Sequence, residues 1–136
     1  MQSRRLPGQA SLEVILLIPG LLIGLFLVVG VGLVARADGE VAGVAVEAAR
    51  AGAMASQAAA VESAAIGRGQ AVAAAYQLRP EHLQLIVDSS GFVRGGEVRV
   101  LARYDLALQG LPLVGDGTLR LQHEAVEPVD TFRSLP

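Results

Sequence analysis

Hydrophobic and polar positions divide this chain into three stretches with different periods. From Val14 to Ala35 there is no charged residue, and Leu, Ile, Val and Gly dominate. As a helix rising about 1.5 Å per residue, this run would extend roughly 33 Å. A bilayer's hydrocarbon core is about 30 Å thick, so the run predicts a single membrane span. Pro19 lies inside it, which membrane helices tolerate because neighbouring groups re-satisfy the freed carbonyl. From Ala37 to about Leu78 the chain is crowded with Ala, the best helix former, and no Pro intervenes before Pro80. Val41, Val44, Ala48, Ala51, Ala55, Ala58, Val61, Ala65, Val72 and Tyr76 recur at helical spacing and predict one weakly apolar face. Glu47 and Arg50, three apart, are expected to support each other on the solvent side. A small-residue face buries little area alone and calls for a sheet or a partner subunit. Gly39, Gly43, Gly52, Gly67 and Gly69 predict a bend or break near one of them.

After Arg79-Pro80 the period falls to two. Leu83, Leu85 and Val87 alternate with polar neighbours, apart from Ile86, and Ser89-Ser90-Gly91 signals a turn. Glu97 to Leu108 is the clearest strand, with Val98, Val100, Ala102, Tyr104, Leu106 and Leu108 on one face and Glu97, Arg99, Arg103 and Asp105 on the other. Gly110 to Gly117 predicts a connecting loop. Thr118 to Val126 alternates again, with Leu119, Leu121 and Ala125 on the buried side. The expected class is therefore α+β. A long N-terminal helix would comprise a membrane half (9–35) and an Ala-rich half (36–79). A small antiparallel three-stranded sheet with a C-terminal tail (80–136) would follow, one face covered by the Ala-rich helix.

Composition narrows the chemistry. A net charge of −2 speaks against a nucleic-acid partner, which would need a basic stripe. There is no Cys, so neither a disulfide, a thiol metal site nor a thiol nucleophile can form. There is no Asn, hence no glycosylation sequon. All eleven basic residues are Arg, an association with GC-rich bacterial genomes. His82 and His123 lack the ligand-spaced companions that zinc requires. Asp88-Ser89-Ser90-Gly91 resembles the opening of a calcium loop but lacks the later carboxylates, so a turn is expected. No Gly-rich phosphate loop or nucleophile elbow occurs, so neither enzyme activity, a cofactor nor a metal is expected.

Arg4 and Arg5 precede the run, while Arg36 beyond it is met at once by Asp38 and Glu40. The positive-inside rule then places the N-terminus in the cytoplasm and the chain from about Arg36 onward outside it. Gly20 and Gly24 form a Gly-x-x-x-Gly pair that would let helices approach closely in lipid, although glycine is common in membrane helices generally.

Glu13 is the anomaly. An acidic side chain at the mouth of a membrane-length run is costly without a partner and so marks a functional candidate. The plainer accounts are an interfacial Glu that bounds the span, or a helix-start charge favoured by the dipole. The short basic leader Met1–Gly8 and the five-residue spacing from Gly8 to Glu13 favour function. This start resembles a type IV prepilin leader. More narrowly, Gly8-Gln9-Ala10-Ser11-Leu12-Glu13-Val14 followed by Ile18-Pro19 is similar to TadE-like pseudopilins of Tad/Flp pilus systems. The Gly95-Gly96 then Val98-Arg99-Val100 segment and Val129-Asp130-x-x-Arg133 are similar to actinobacterial members.

The resemblance implies a pilin-like fold in a bacterial cytoplasmic membrane. It implies cleavage between Gly8 and Gln9 by a prepilin peptidase, with Glu13 then pairing with a neighbouring subunit's terminal amine. Other pilin and pseudopilin subunits, the inner-membrane assembly platform and membrane lipid would be the partners, with incorporation into a surface pilus as one outcome. Val14 departs from the aromatic residue usual at that position, and the chain lacks the cysteine pair of some relatives. Its sheet domain, which the much shorter major Flp pilin lacks, favours a minor, tip or initiating subunit. Two other readings stand beside it: an unprocessed single-pass anchor with a small interaction domain, and an exported domain cleaved after Ala37. For the second, Ala35-Arg36-Ala37 fits signal peptidase and Ser3-Arg4-Arg5 faintly echoes a twin-arginine signal.

Overall fold

The Ala-rich stretch folds back on itself. In the computed structural model, which describes residues 9–109 and 116–131, helix α1 runs from Gln9 to Ala53 as one 45-residue element. Helix α2 follows at Ala58–Ala75. The single Ala-rich helix expected over 36–79 is thus an antiparallel helical hairpin, broken just after Gly52. Here Met54 N–H still donates to Arg50 O (3.0 Å), but Ala55 N–H turns in to Gly52 O (3.1 Å) and Gln57 is extended. The two helices approach through glycines. A Cβ on Gly52 would stand 3.4 Å from both Val61 and Ala65, one on Gly69 3.2 Å from Ala48, and one on Gly43 3.3 Å from the Tyr76 hydroxyl. Only small residues permit so close a crossing, which is why the face is Ala- and Gly-rich rather than Leu-rich.

Helix α2 ends in a Schellman motif. Gln77 N–H donates to Ala74 O (3.0 Å) and Leu78 N–H to Ala73 O (2.9 Å), with Gln77 at φ 60° and Leu78 buried beside Ala73. A 3-10 turn at Pro80–His82 leads into the sheet. Strands β1 (Leu83–Asp88), β2 (Glu97–Ala107) and β3 (Thr118–Pro128) form an antiparallel meander in the order β1-β2-β3. Its register pairs Leu83 with Tyr104, Val87 with Val100, Tyr104 with Leu121 and Val100 with Ala125. The period-two pattern emerges as expected: Val98, Val100, Ala102 and Tyr104 are buried while the alternate residues of β2 lie open or half-open.

The core lies between this face and the helical hairpin. Its distal part gathers Ala48, Ala49, Ala53, Val61, Ala65, Phe92, Val98, Val100 and Val129. Its proximal part, nearer the uncharged run, holds Ala37, Val41, Val44, Ala45, Ala73, Leu78, Ala102, Tyr104 and Leu121. Three placements differ from the sequence reading. Ala58 and Tyr76 are exposed because the α1–α2 crossing, rather than one straight stripe, selects the buried positions. Leu119 is 37% exposed because it stands near the open end of the β2–β3 ladder, opposite Leu106.

The β1–β2 connection is a tight loop. Asp88 Oδ1 accepts the Ser90 N–H (3.0 Å), an Asx turn that gives the Asp88-Ser89-Ser90-Gly91 segment its turn role. Gly95 (φ 72°) and Gly96 then meet the end of β3, with Gly95 N–H donating to Val129 O (3.3 Å) and Val129 N–H to Gly96 O (2.8 Å). The α+β class is as expected: one long N-terminal helix followed by a three-stranded antiparallel sheet, an order consistent with a pilin-like fold.

Candidate functional site: the open half of helix α1

From Glu13 to Val29 the residues of α1 are exposed, its large apolar side chains ranging from Leu16 at 75% to Phe26 at 42%. Exposed Leu, Ile and Val in such continuity are unfavourable in water and favourable in hydrocarbon. Among the described residues, this is the one helix long and apolar enough to cross a membrane. Pro19 is accommodated within it. A Cβ on Gly20, Gly24 or Gly32 would meet nothing within 4 Å, so the predicted helix-packing glycines face open space in the isolated chain.

Gly8, where cleavage is expected, lies outside the described residues, and α1 is described from Gln9. Glu13 lies within the described helix, whose first described turn contains no acidic residue. Glu13 is exposed and has no hydrogen-bond or ion-pair partner among the described residues.

At the other end of the run, α1 enters the domain without interruption. Arg36 donates to Glu40 across one turn (2.7 Å). Ala37, the residue after which an exported domain would be cut, is in mid-helix and 6% exposed within the proximal core. Asp38 Oδ1 lies 2.8 Å from His123 Nε2, tying α1 to β3 across 85 positions. Sequence reading gave His123 no role. The available signal was its parity, since it occupies the inward position between Leu121 and Ala125. Farther along, Arg50 lies 3.7 Å from Glu127. Glu47, expected to pair with Arg50, does so at 3.5 Å but is held more closely by Arg68 of α2 at 2.8 Å. The Arg68 hydrogen bond lowers the Glu47 carboxyl from its ordinary value. Similarly, Asp105 is lowered by its hydrogen bond to Arg120 and Asp88 by those from Ser90.

His82 and His123 stand apart in role: the first packs its ring against Tyr104 at 6.2 Å, the second bonds to Asp38. Among the described residues no cluster of three or more His, Asp or Glu could hold a metal. These features define the class. It is an α+β chain whose first helix is long and apolar enough to cross a membrane at one end and forms the domain core at the other. Compared with known proteins, the chain matches no family model, no curated sequence and no solved structure.

Proposed function

We propose that this chain is a minor, TadE-like pseudopilin of a Tad/Flp pilus. On this reading it inserts with its N-terminus in the cytoplasm and its sheet domain outside. A prepilin peptidase removes Met1–Gly8, and the mature chain assembles through α1 with other pilin subunits on the inner-membrane platform. One observation carries the reading: Glu13, a carboxylate without a partner among the described residues, stands at the mouth of a helix whose apolar side chains are exposed over a membrane length. In a medium of low dielectric such a charge is stabilised by an opposite one, and the amine of Gln9 on a neighbouring subunit would supply it. Pairing of that kind fixes axial register, while Gly20 and Gly24 allow close helix approach.

The test is the mature N-terminus, read by intact mass on protein recovered from native membranes. A start at Gln9, abolished by Gly8→Val, supports the proposal, and Glu13→Ala should then insert normally yet fail to assemble. An intact Met1 in cells with active prepilin peptidase would leave a plain anchor. A start at Asp38 would make the product an exported domain.

A further inference from the structure

The sheet reaches down beside the last turns of the uncharged run. β3 is fixed in height against α1 by the His123–Asp38 contact at 2.8 Å, only three residues beyond Ala35. From there β3 passes distally to Glu127 beside Arg50 at 3.7 Å, so its first residues run toward the membrane segment. Five steps along the strand, at about 3.4 Å each, lead from His123 to Thr118, a descent of up to roughly 17 Å. The contacts agree: Leu106, Ala107, Leu108 and Gln109 share a groove of about 490 Å³ with Leu33 and Val34 of α1. Arg36, Glu40, Tyr76 and Tyr104 line the same groove, with Tyr104 buried and the Tyr76 hydroxyl beside Gly43.

Charge marks how deep this end can go. Asp105 and Arg120 form the last charged rung of the β2–β3 ladder, paired at 2.8 Å. Beyond them come the Leu106–Leu119 and Ala107–Thr118 rungs, and Leu108 N–H donates to Gly117 O (2.9 Å). A charged rung is costly in hydrocarbon, whereas the apolar Leu106–Leu119 rung past it is poorly placed in water. Asp116, exposed beside Gly117, disfavours an anionic surface. Length gives the same boundary independently. Glu13 to Leu33 as helix spans roughly 30 Å, the thickness of the hydrocarbon core.

From these observations we infer that the α1-proximal end of the β2–β3 ladder is a second membrane contact. It is seated in the glycerol and headgroup layer of a zwitterionic lipid bilayer, with hydrocarbon ending near Leu33 rather than Ala35. The inference rests on α1 crossing the membrane, and the experiment separates the two. Because the chain has no cysteine, single variants Leu25→Cys, Ala107→Cys, Leu119→Cys and Val93→Cys give unique spin-label sites. Each is placed in the full chain, reconstituted in phosphatidylcholine vesicles, and read for collision with oxygen and with an aqueous nickel complex. Position 25 should be closed to nickel and position 93, at the distal β1–β2 loop, open to it. Positions 107 and 119 should show nickel collision several-fold below position 93. Nickel collision at 107 and 119 equal to that at 93, with 25 still shielded, overturns the second contact and leaves the span. Open access at 25 removes the span, and the second contact with it.

Discussion

Gln77 occupies a position that usually belongs to glycine. Its φ of 60° is the left-handed conformation that closes the Schellman motif of α2, and an L-residue there carries a cost of roughly 1–2 kcal/mol. Replacing it with Gly relieves that cost and returns part of it through the freer unfolded chain. Gln77→Gly should therefore stabilise the domain by about 0.5–1 kcal/mol, measured as a shift in the denaturation midpoint. An unchanged or lowered midpoint would count against the motif. Single residues differ widely in how legible they are. Glu13 was conspicuous in the sequence because a lone charge borders an uncharged run, a contrast visible without any fold. His123 was not, because its partner Asp38 is 85 positions away and only the strand's height against α1 brings them together.

At the scale of the element, α2 offers a contrast between two glycines. A Cβ at Gly67 would meet nothing within 4 Å, while one at Gly69 would stand 2.6 Å from Leu85 Cδ1 and 3.2 Å from Ala48 Cβ. Gly67→Ala should stabilise the protein by about 0.8–1 kcal/mol through helix propensity alone. Gly69→Val should destabilise it by about 1–3 kcal/mol, because the α1–α2 crossing and β1 cannot both retreat. Chemical denaturation of the pair decides the matter: shifts of the same sign would mean that α2 does not pack as described. The strands were readable in advance, since Val98, Val100, Ala102 and Tyr104 alternate with charged or half-open residues on a two-residue period. The helical hairpin was half readable. The glycines announced a weakness, but a run of Ala has no strongly marked face, so nothing local chose Gly52 over Gly39 or Gly67 as the site of the break. That choice follows from Val98, Val61 and Ala65 closing around Gly52.

Over the whole molecule, charge pairs link the elements at the surface: Glu47 to Arg68 between the helices, Arg50 to Glu127 between helix and sheet, and Asp105 to Arg120 across strands. Glu47 and Asp105, like Asp88, have carboxyls held below their ordinary values in the folded state. Such groups contribute stability that is fully present above the unfolded carboxylate range, about pH 4, and is lost as pH falls through the lowered folded values. The domain should accordingly weaken progressively below about pH 5, with Glu47→Gln reducing the slope. A denaturation midpoint independent of pH between 7 and 3 would contradict this. The sequence by itself determined the membrane-length run, the carboxylate at its mouth, the three strands and the α+β class. Each rests on contrast along the chain, of charge against no charge or of period two against three and four. Only the tertiary structure decided where the Ala-rich helix folds back, which inward polar residue meets α1, and how far the sheet descends beside the uncharged run. Those depend on distances between segments far apart in sequence, set by which small residues let two backbones approach, and no local pattern encodes them.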